Sequence, residues 1–485
     1  RSTLFPYTTL FRSQPLPEAY SGLTIAMRRF FGRYENAPFL NVLKNSGYLI
    51  LSNLISVFLT VYITRLLGAY AYGVLGIITS YVTNINKFFS FRMNEMVVHF
   101  AGDPYARGET RKTGALIKFA AGLEAGTSLF AFLVLIISAK FGAELFLEDP
   151  TLSNQVILYG LSILAGGCIE TANGVLRIFG EYRSIAWINL LQNGVVLAFV
   201  LISGNRGFGL TGILTAYLIG KVLLCVAPVV FMLKLLPRRL GADWFRAPLS
   251  LLGEKREILR FTFSTNVSNT INLIARDGEV LWIGALLSPL YAGYYKTAMT
   301  IINMVLLPIN PFIDTTYPAM VRLIGERKWR DVKRLLANAT TVSAAWTGAC
   351  LIGLVALGRR LLFQPVAFFG LSFQVFSAEF LPSYALILIL MIGYGTANVL
   401  FWNRTLLLSF EMADTAMWIS LAGMGLKVIL TLTLVPNAAY PAEAAILSAY
   451  LAGTVLWMTW VGLRTLNRAE RFSAPERNGM DGGLS

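Results

Sequence analysis

Several ionisable side chains lie deep inside long apolar stretches of the sequence, where a charge is costly unless it has a partner or a function. They are Lys87, Glu124, Glu170, Lys221, Arg276, Asp277, Glu279, Lys296, Asp314 and Lys427. Lysine and arginine in such places can bind an anionic group, and nearby acids can neutralise them or exchange a proton or a cation. The pattern therefore indicates a binding path for charged groups inside an apolar protein.

Arg276 is the first candidate for contact with an anionic group, because it lies about 15 residues into an apolar stretch and guanidinium binds anionic oxygens in a fork. Lys87 and Lys296 are further candidates for substrate binding. The alternative for Arg276 is a structural pair with Glu279, one turn on. Asp277 points elsewhere on the helix, where it either exchanges a proton or cation or neutralises Lys87 or Lys296.

Glu124, Glu170 and Lys221 are expected to form structural ion pairs or to take part in ion coupling. The sequence contains one histidine and three widely separated cysteines, so it predicts neither a metal site nor a disulfide framework. It also lacks a Walker phosphate loop and a nucleophile-elbow serine motif. We therefore expect no cofactor and no enzymatic activity.

The composition is that of an integral membrane protein. Hydrophobic residues make up 55% of the chain and charged residues 14%, with a mean hydropathy of +0.61. A soluble domain would carry roughly 25% charged residues. The net charge of +15 comes from basic residues at the ends of apolar segments, with no basic stripe interleaved with aromatics. This placement favours a lipid bilayer as the partner and excludes nucleic acid.

The apolar runs predict an all-α polytopic membrane protein of about 12 transmembrane helices. Each run is long enough to cross a hydrocarbon core of ~30 Å. The predicted spans are 46–66, 72–91, 114–138, 154–176, 184–203, 210–234, 262–287, 293–318, 335–357, 383–403, 414–435 and 443–463. They give a six-helix bundle in 40–236, a linker in 237–260 and a second bundle in 261–465, followed by a tail in 466–485.

Basic residues favour one side of these spans. With a cytoplasmic N-terminus, the connections and tails on the cytoplasmic side hold most of the arginine and lysine, including clusters at 107–112, 234–246 and 327–334. The opposite connections hold Lys140, Arg206, Arg359 and Arg360. Both termini are therefore predicted in the cytoplasm. The segment 1–26, which opens with RSTLFPYTTLFRS and precedes Met27, is expected to be non-native or disordered and dispensable.

The two halves resemble each other at an offset of about 220 residues. LLGAYAYGVLGIITSYVTN aligns with LLSPLYAGYYKTAMTIINM, which pairs Gly73 with Gly293, and Thr-Ala-Asn at 171–173 recurs at 396–398. Six spans in each half place both copies the same way up. The bundles are thus expected to be related by a pseudo-twofold axis along the membrane normal, an arrangement that suits alternating access around a midplane site. Chance similarity among apolar helices is the alternative.

Residues 40–465 resemble the Wzx-type oligosaccharide flippases, a branch of the superfamily that includes MATE exporters and lipid II flippases. Two stretches carry the resemblance. They are KNSGYLILSNLISVFLTVYITRLLGAYAYGVLGIITS and RDGEVLWIGALLSPLYAGYYKTAMTIINMVLLPINPFI. In the second stretch, Asp277 and Gly293-Tyr294-Tyr295 occupy the places of the family's Asp-containing run and Gly-x-Tyr. Twelve spans, where lipid II flippases often have 14, disfavour that branch.

The resemblance implies a flippase of polysaccharide biosynthesis, as for O-antigen or lipopolysaccharide, in a bacterial or archaeal cell membrane. It would pass a polyisoprenyl-diphosphate-linked oligosaccharide from the cytoplasmic to the outer leaflet, as a monomer, coupled to protons or sodium. A MATE-like cation-coupled multidrug exporter is the alternative, but it is disfavoured because the deep spans hold at least as many bases as acids. A membrane polymerase or ligase would need a large catalytic loop. The longest outer loop, 358–382, is short, with one acid and no histidine.

Overall fold

The computed structural model describes residues 37–252, 255–368 and 371–473. The predicted segment 1–26, the end of the tail 466–485 and the side chain of Asp314 lie outside the described residues. The described chain is almost entirely helical, with a single two-stranded antiparallel hairpin. This confirms the all-α class predicted from the sequence.

The first half contains seven α-helices. They are α1 (Ala37–Phe89), α2 (Met93–Ala106), α3 (Thr110–Leu147), α4 (Ser153–Ala165), α5 (Ile169–Ile178), α6 (Tyr182–Arg206) and α7 (Gly209–Leu240). Short 3-10 turns at Pro150–Leu152, Ala242–Arg246 and Leu249–Leu252 complete this half. The last two turns lie in the predicted linker, whose boundaries, like those of the bundles, stay predictions.

The second half is more interrupted. Its helices are α8 (Lys255–Asn272), α9 (Glu279–Leu286), α10 (Pro289–Leu306), α11 (Asn310–Gly325), α12 (Trp329–Gly353), α13 (Arg359–Phe363), α14 (Ser383–Val399), α15 (Asn403–Ser409), α16 (Ala413–Leu434) and α17 (Ala442–Ser473). Strands β1 (Val366–Phe368) and β2 (Leu371–Phe373) form the hairpin. Two π-helical turns, Leu273–Asp277 and Leu354–Gly358, and 3-10 turns at Ala378–Phe380 and Val435–Asn437 lie between the helices.

The first two predicted spans form one segment with a break. Helix α1 has 53 residues, about 80 Å of helix at 1.5 Å per residue, which exceeds twice the thickness of a hydrocarbon core. Gly68 interrupts it with φ 73° and ψ 177°, a conformation that side chains disfavour. The sequence predicted a five-residue connection here. A single glycine makes it instead.

Nine segments within the described residues are long and apolar enough to cross a membrane. One of them, Ile55–Ala106, holds most of the first predicted span and all of the second. The seventh and eighth predicted spans are not among the nine. Each consists of two helices: α8 and α9 around a π turn, and α10 and α11 around residues 307–309. These elements are consistent with twelve spans, and that total stays a prediction.

The two halves meet where the repeat predicts symmetry. Helix α10 packs along the second part of α1. A Cβ on Gly73 would collide with the carbonyl oxygen of Pro289, and a Cβ on Gly293 would collide with that of Ala69. Each glycine thus meets the residue four positions before its counterpart, the reciprocal contact expected at a twofold axis. Only glycine allows the two backbones to approach so closely.

Candidate functional site

An irregular stretch of the seventh predicted span positions three of the candidate residues. The π turn Leu273–Asp277 ends in Arg276 and Asp277, Gly278 follows, and α9 begins at Glu279. Trp282 donates its indole N–H to the carbonyl of Ile274 at 3.3 Å across this turn. A π turn adds a residue to the helical repeat and is often found at functional sites. Here it directs neighbouring charges to different surroundings.

Arg276 and Asp277 join Lys87 from the other half of the protein. We call these three residues the inter-half cluster. The ammonium of Lys87 donates to Asp277 Oδ2 at 3.0 Å, and Arg276 Nε donates to Asp277 Oδ1 at 3.2 Å. The side chains are 39%, 50% and 28% exposed for Lys87, Arg276 and Asp277. Two cations therefore share one carboxylate, which leaves one positive charge accessible to solvent.

The alternative prediction for Arg276, an ion pair with Glu279, is wrong. Arg276 pairs with Asp277, and Glu279 pairs with Lys427. The pair was expected because residues three apart lie on one face of an α-helix. The π turn and Gly278 break that register between the two residues. Of the two partners considered for Asp277, Lys87 and Lys296, the first makes the contact.

Lys296 lies on α10 against the second part of α1. Its ammonium is 4.7 Å from the ring centre of Tyr72, a cation–π contact, and its Cδ would lie 2.8 Å from a Cβ on Gly76. No ion pair joins it to an acid among the described residues. An ammonium between the two halves that is balanced only by an aromatic face is a suitable partner for an anion.

Glu279 belongs to a second set of charges, which we call the buried cluster: Glu279, Lys427 and Glu443. All three are at most 2% exposed. Lys427 forms an ion pair with Glu279 and another with Glu443 at 3.0 Å, and Glu443 also accepts from the hydroxyl of Thr431 at 2.8 Å. Glu279 Oε2 has no hydrogen-bond partner in the part of the chain that the structure describes. Two carboxylates share one ammonium, which is the reverse of the inter-half cluster.

Glu443 was not among the candidates from the sequence. It lies in the first turn of α17, where an acid is usually explained by the helix dipole. Lys427 was recognised as an ionisable residue inside a span. Its pairing with Glu443 was not predicted, because the two residues are 16 positions apart in the sequence. The signal that could have found Glu443 is the presence of Lys427 in an adjacent span, because a buried lysine requires an acid.

Glu124 caps a helix inside the first half. Its carboxylate accepts from the backbone N–H groups of Glu170 at 2.8 Å and Thr171 at 2.9 Å, and from the Thr171 hydroxyl at 2.6 Å. These groups lie in the first turn of α5, whose N-terminus carries a partial positive charge. Glu124 thus pairs with a helix end, and among the described residues it forms no ion pair with a basic side chain, one of the two roles expected for it.

The other first-half candidates are only loosely connected to this site. Glu170 lies within electrostatic range of Arg92 and Arg177. Lys221 forms no ion pair among the described residues. Arg404, which the sequence placed in a cytoplasmic connection, lies within electrostatic range of both Arg276 and Arg92. It was not among the candidates because the predicted span ends at residue 403, one residue before it.

One end of the inter-half interface is closed. We call this end, which carries Gly68 and Glu379, the distal end. Glu379 Oε1 accepts from the backbone N–H of Ala69 at 2.9 Å and so caps the helix that restarts after Gly68. Phe380 lies edge-on to Tyr72 of the first half, with ring centres 6.1 Å apart, and to Tyr294 of the second at 6.4 Å.

The arrangement of elements defines a transporter fold of two helical halves. It superposes on a multidrug resistance MATE family transporter of the MOP superfamily in an inward-facing conformation, with a TM-score of 0.67 and 12% identity over 87% of this chain and 96% of that chain. It also superposes on the lipid II flippase MurJ in an inward closed conformation, with a TM-score of 0.65 and 15% identity over 88% and 90% of the two chains.

The sequence identifies the family within that fold. A model of the polysaccharide biosynthesis protein family matches residues 62–362, more than half of the chain, and the chain therefore belongs to this family. The inner membrane protein YghQ of Escherichia coli (strain K12) is 24% identical over 364 residues, which cover 73% of this chain and 98% of that protein. The resemblance noted from the sequence is confirmed, as is a multi-pass membrane protein with a transporter fold.

Proposed function

We propose that this protein moves a polyisoprenyl-diphosphate-linked oligosaccharide from the cytoplasmic to the outer leaflet of the cell membrane by alternating access. The inter-half cluster is the observation that carries the proposal. A diphosphate cannot enter hydrocarbon unaided, because an unpaired ion there costs many kcal/mol. The surplus positive charge of Lys87 and Arg276, with Lys296 between the halves, offers the anion a partner while its lipid tail stays in the bilayer.

The contacts between the two halves support the proposal of alternating access. Lys87 belongs to one half and Asp277 to the other, so a diphosphate that binds the cations competes with Asp277 and weakens a contact between the halves. Release on the opposite side requires the distal end to open, which separates Gly73 from Gly293 and Ala69 from Glu379. The protein is proposed to act as a monomer with both termini in the cytoplasm.

The buried cluster supports proton coupling. Its two carboxylates and one ammonium leave an excess negative charge in a medium of low dielectric constant, which is costly unless a proton or a cation neutralises it. Tyr295, Tyr394 and Tyr450 are titratable groups within electrostatic range of Glu279. We assign the neutralising proton to Glu279 or Glu443.

The decisive experiment measures export in cells that lack their own flippase. Restored appearance of the lipid-linked oligosaccharide in the outer leaflet supports the proposal. A well-expressed protein that exports none of several glycans but confers resistance to cationic dyes would overturn the flippase proposal and support the exporter alternative. In vesicles, translocation that follows an imposed pH gradient without sodium supports proton coupling, and dependence on sodium alone contradicts it.

A further inference from the structure

A cleft of about 500 Å³ opens near the distal end of the second half. Its walls come from the start of α10, from α13, from the start of α14 and from the turn before α17. Four tyrosines and one arginine supply its polar groups: Tyr291, Tyr294, Tyr384, Tyr440 and Arg359. It lies apart from both charged clusters, whose residues do not line it.

Two of the tyrosines are fixed by hydrogen bonds. Tyr440 donates to the carbonyl of Pro382 at 3.3 Å, and Tyr384 donates to that of Leu354 at 3.0 Å. Tyr291 stacks on Tyr440, with ring centres 5.2 Å apart and planes inclined by 15°. The two stacked rings thus form a rigid aromatic pair at the cleft. Tyr291 comes from α10 and Tyr440 from the turn before α17.

The remaining polar groups are available to a ligand. The hydroxyls of Tyr291 and Tyr294 make no hydrogen bond to other described residues, and Arg359 forms no ion pair with any of them. Arg359 is exposed, whereas Tyr294 is 8% exposed. Phenol hydroxyls and guanidinium groups at a concave aromatic surface suit a ligand that presents both apolar faces and many oxygens.

The cleft shares a wall with the distal closure. Tyr294 lines the cleft and contacts Phe380, which in turn packs on Tyr72 of the first half. A substrate that leaves between Gly73 and Gly293 therefore passes beside the cleft. The cleft therefore differs from other surface depressions because it lies next to the proposed exit path.

We propose that the cleft is an exit subsite for the sugar rings of the transported oligosaccharide, with Arg359 contacting an acidic sugar or phosphate; the proposal rests on the function proposed above. Pyranose rings present C–H faces to aromatic rings and hydroxyls to the phenols. Arg359 binds a carboxylate or phosphate in a fork. An isoprenyl chain would leave the arginine and both phenols without partners, at a cost in free energy.

The test uses the full-length protein in nanodiscs and two soluble probes, trigalacturonate and maltotriose, whose dissociation constants are measured by saturation-transfer NMR. Wild type is expected to bind both and to prefer the acidic probe. Tyr291→Ala should weaken both roughly 10-fold or more, and Tyr291→Phe should retain most of the affinity. Arg359→Gln should remove the preference for trigalacturonate. Arg360→Gln is the matched control, because this neighbouring arginine does not line the cleft.

Absence of binding by either sugar, or equal binding by all variants, would overturn the proposal. The proposal would also be overturned if the two sugars did not compete with each other and farnesol bound tightly. The cleft would then be a lipid site. Export measured on Arg276→Ala separates the two proposals, because this variant should lose export and keep sugar binding. Wild-type export without cleft binding contradicts the subsite alone, and cleft binding without export contradicts the proposed function alone.

Discussion

Asp277 and Glu279 are two residues apart, yet they occupy opposite environments. The Asp277 side chain is 28% exposed and shares its charge with two cations from both halves of the protein. Glu279 is 2% exposed and shares one ammonium with a second carboxylate inside the second half. The inter-half cluster has a surplus positive charge that solvent can reach. The buried cluster has a surplus negative charge that solvent cannot reach.

The difference teaches that exposure, more than residue type, determines what an intramembrane charge can do. An exposed cation can exchange an intramolecular carboxylate for a substrate anion at little cost, because both states are solvated. A buried ion pair cannot be opened without leaving an uncompensated charge, so its response is limited to gaining or losing a proton. The first cluster is suited to binding and the second to fold integrity and coupling.

Lys427→Met gives the largest expected effect. It removes the only ammonium of the buried cluster and leaves two carboxylates facing each other, which should destabilise the protein by about 3–5 kcal/mol. Thermal unfolding followed by fluorescence-detected gel filtration in detergent would measure it. The triple variant with Glu279→Gln and Glu443→Gln should recover much of the loss. A Lys427→Met protein as stable as wild type would show that the cluster is not a structural ion network.

Arg276→Ala should have the next largest effect, on export and not on stability. The side chain is half exposed, so its loss leaves no buried charge, but the diphosphate loses a charge-assisted contact worth about 1.5–3 kcal/mol. Export should fall roughly 10- to 100-fold while the melting temperature stays within error. Arg276→Lys should recover part of the rate, since it restores charge without the fork. Normal export by Arg276→Ala would remove this residue from the path.

Asp277→Asn should change affinity in the opposite direction. The variant keeps the shape of the side chain but frees Lys87 and Arg276 from their shared carboxylate. Binding of farnesyl diphosphate, measured by calorimetry, should tighten about 3- to 10-fold, and export should slow because release is slower. Asp103→Asn, at a surface pair with Arg107, is the control and should change neither quantity. Weaker binding by Asp277→Asn would show that the carboxylate itself serves the ligand.

The sequence predicts the class, the approximate spans and the equivalence of Gly73 and Gly293 in an internal repeat, because apolar length and repetition are properties of the chain itself. It predicts which side chains carry deep charge. It offers Lys87 as one of two partners for Asp277 but does not predict the partners of Arg276 and Glu279, because pairing depends on helix register, and the π turn before Gly278 shifts that register between these two residues. Glu124 bonding to a helix end and Glu443 bonding to Lys427 depend on contacts between distant segments.

The smallest effect is expected from Arg107→Ala, which tests whether placement or mere positive charge determines export. Arg107 is 70% exposed and lies 3.6 Å from Asp103 one turn away, a solvated pair worth about 0.5 kcal/mol or less. Stability and export should both match wild type in the assays used for Lys427→Met and Arg276→Ala. If Arg107→Ala reduced export as much as Arg276→Ala, then general attraction between a basic surface and an anionic lipid would explain export. The position of Arg276 between the halves would then carry no special weight.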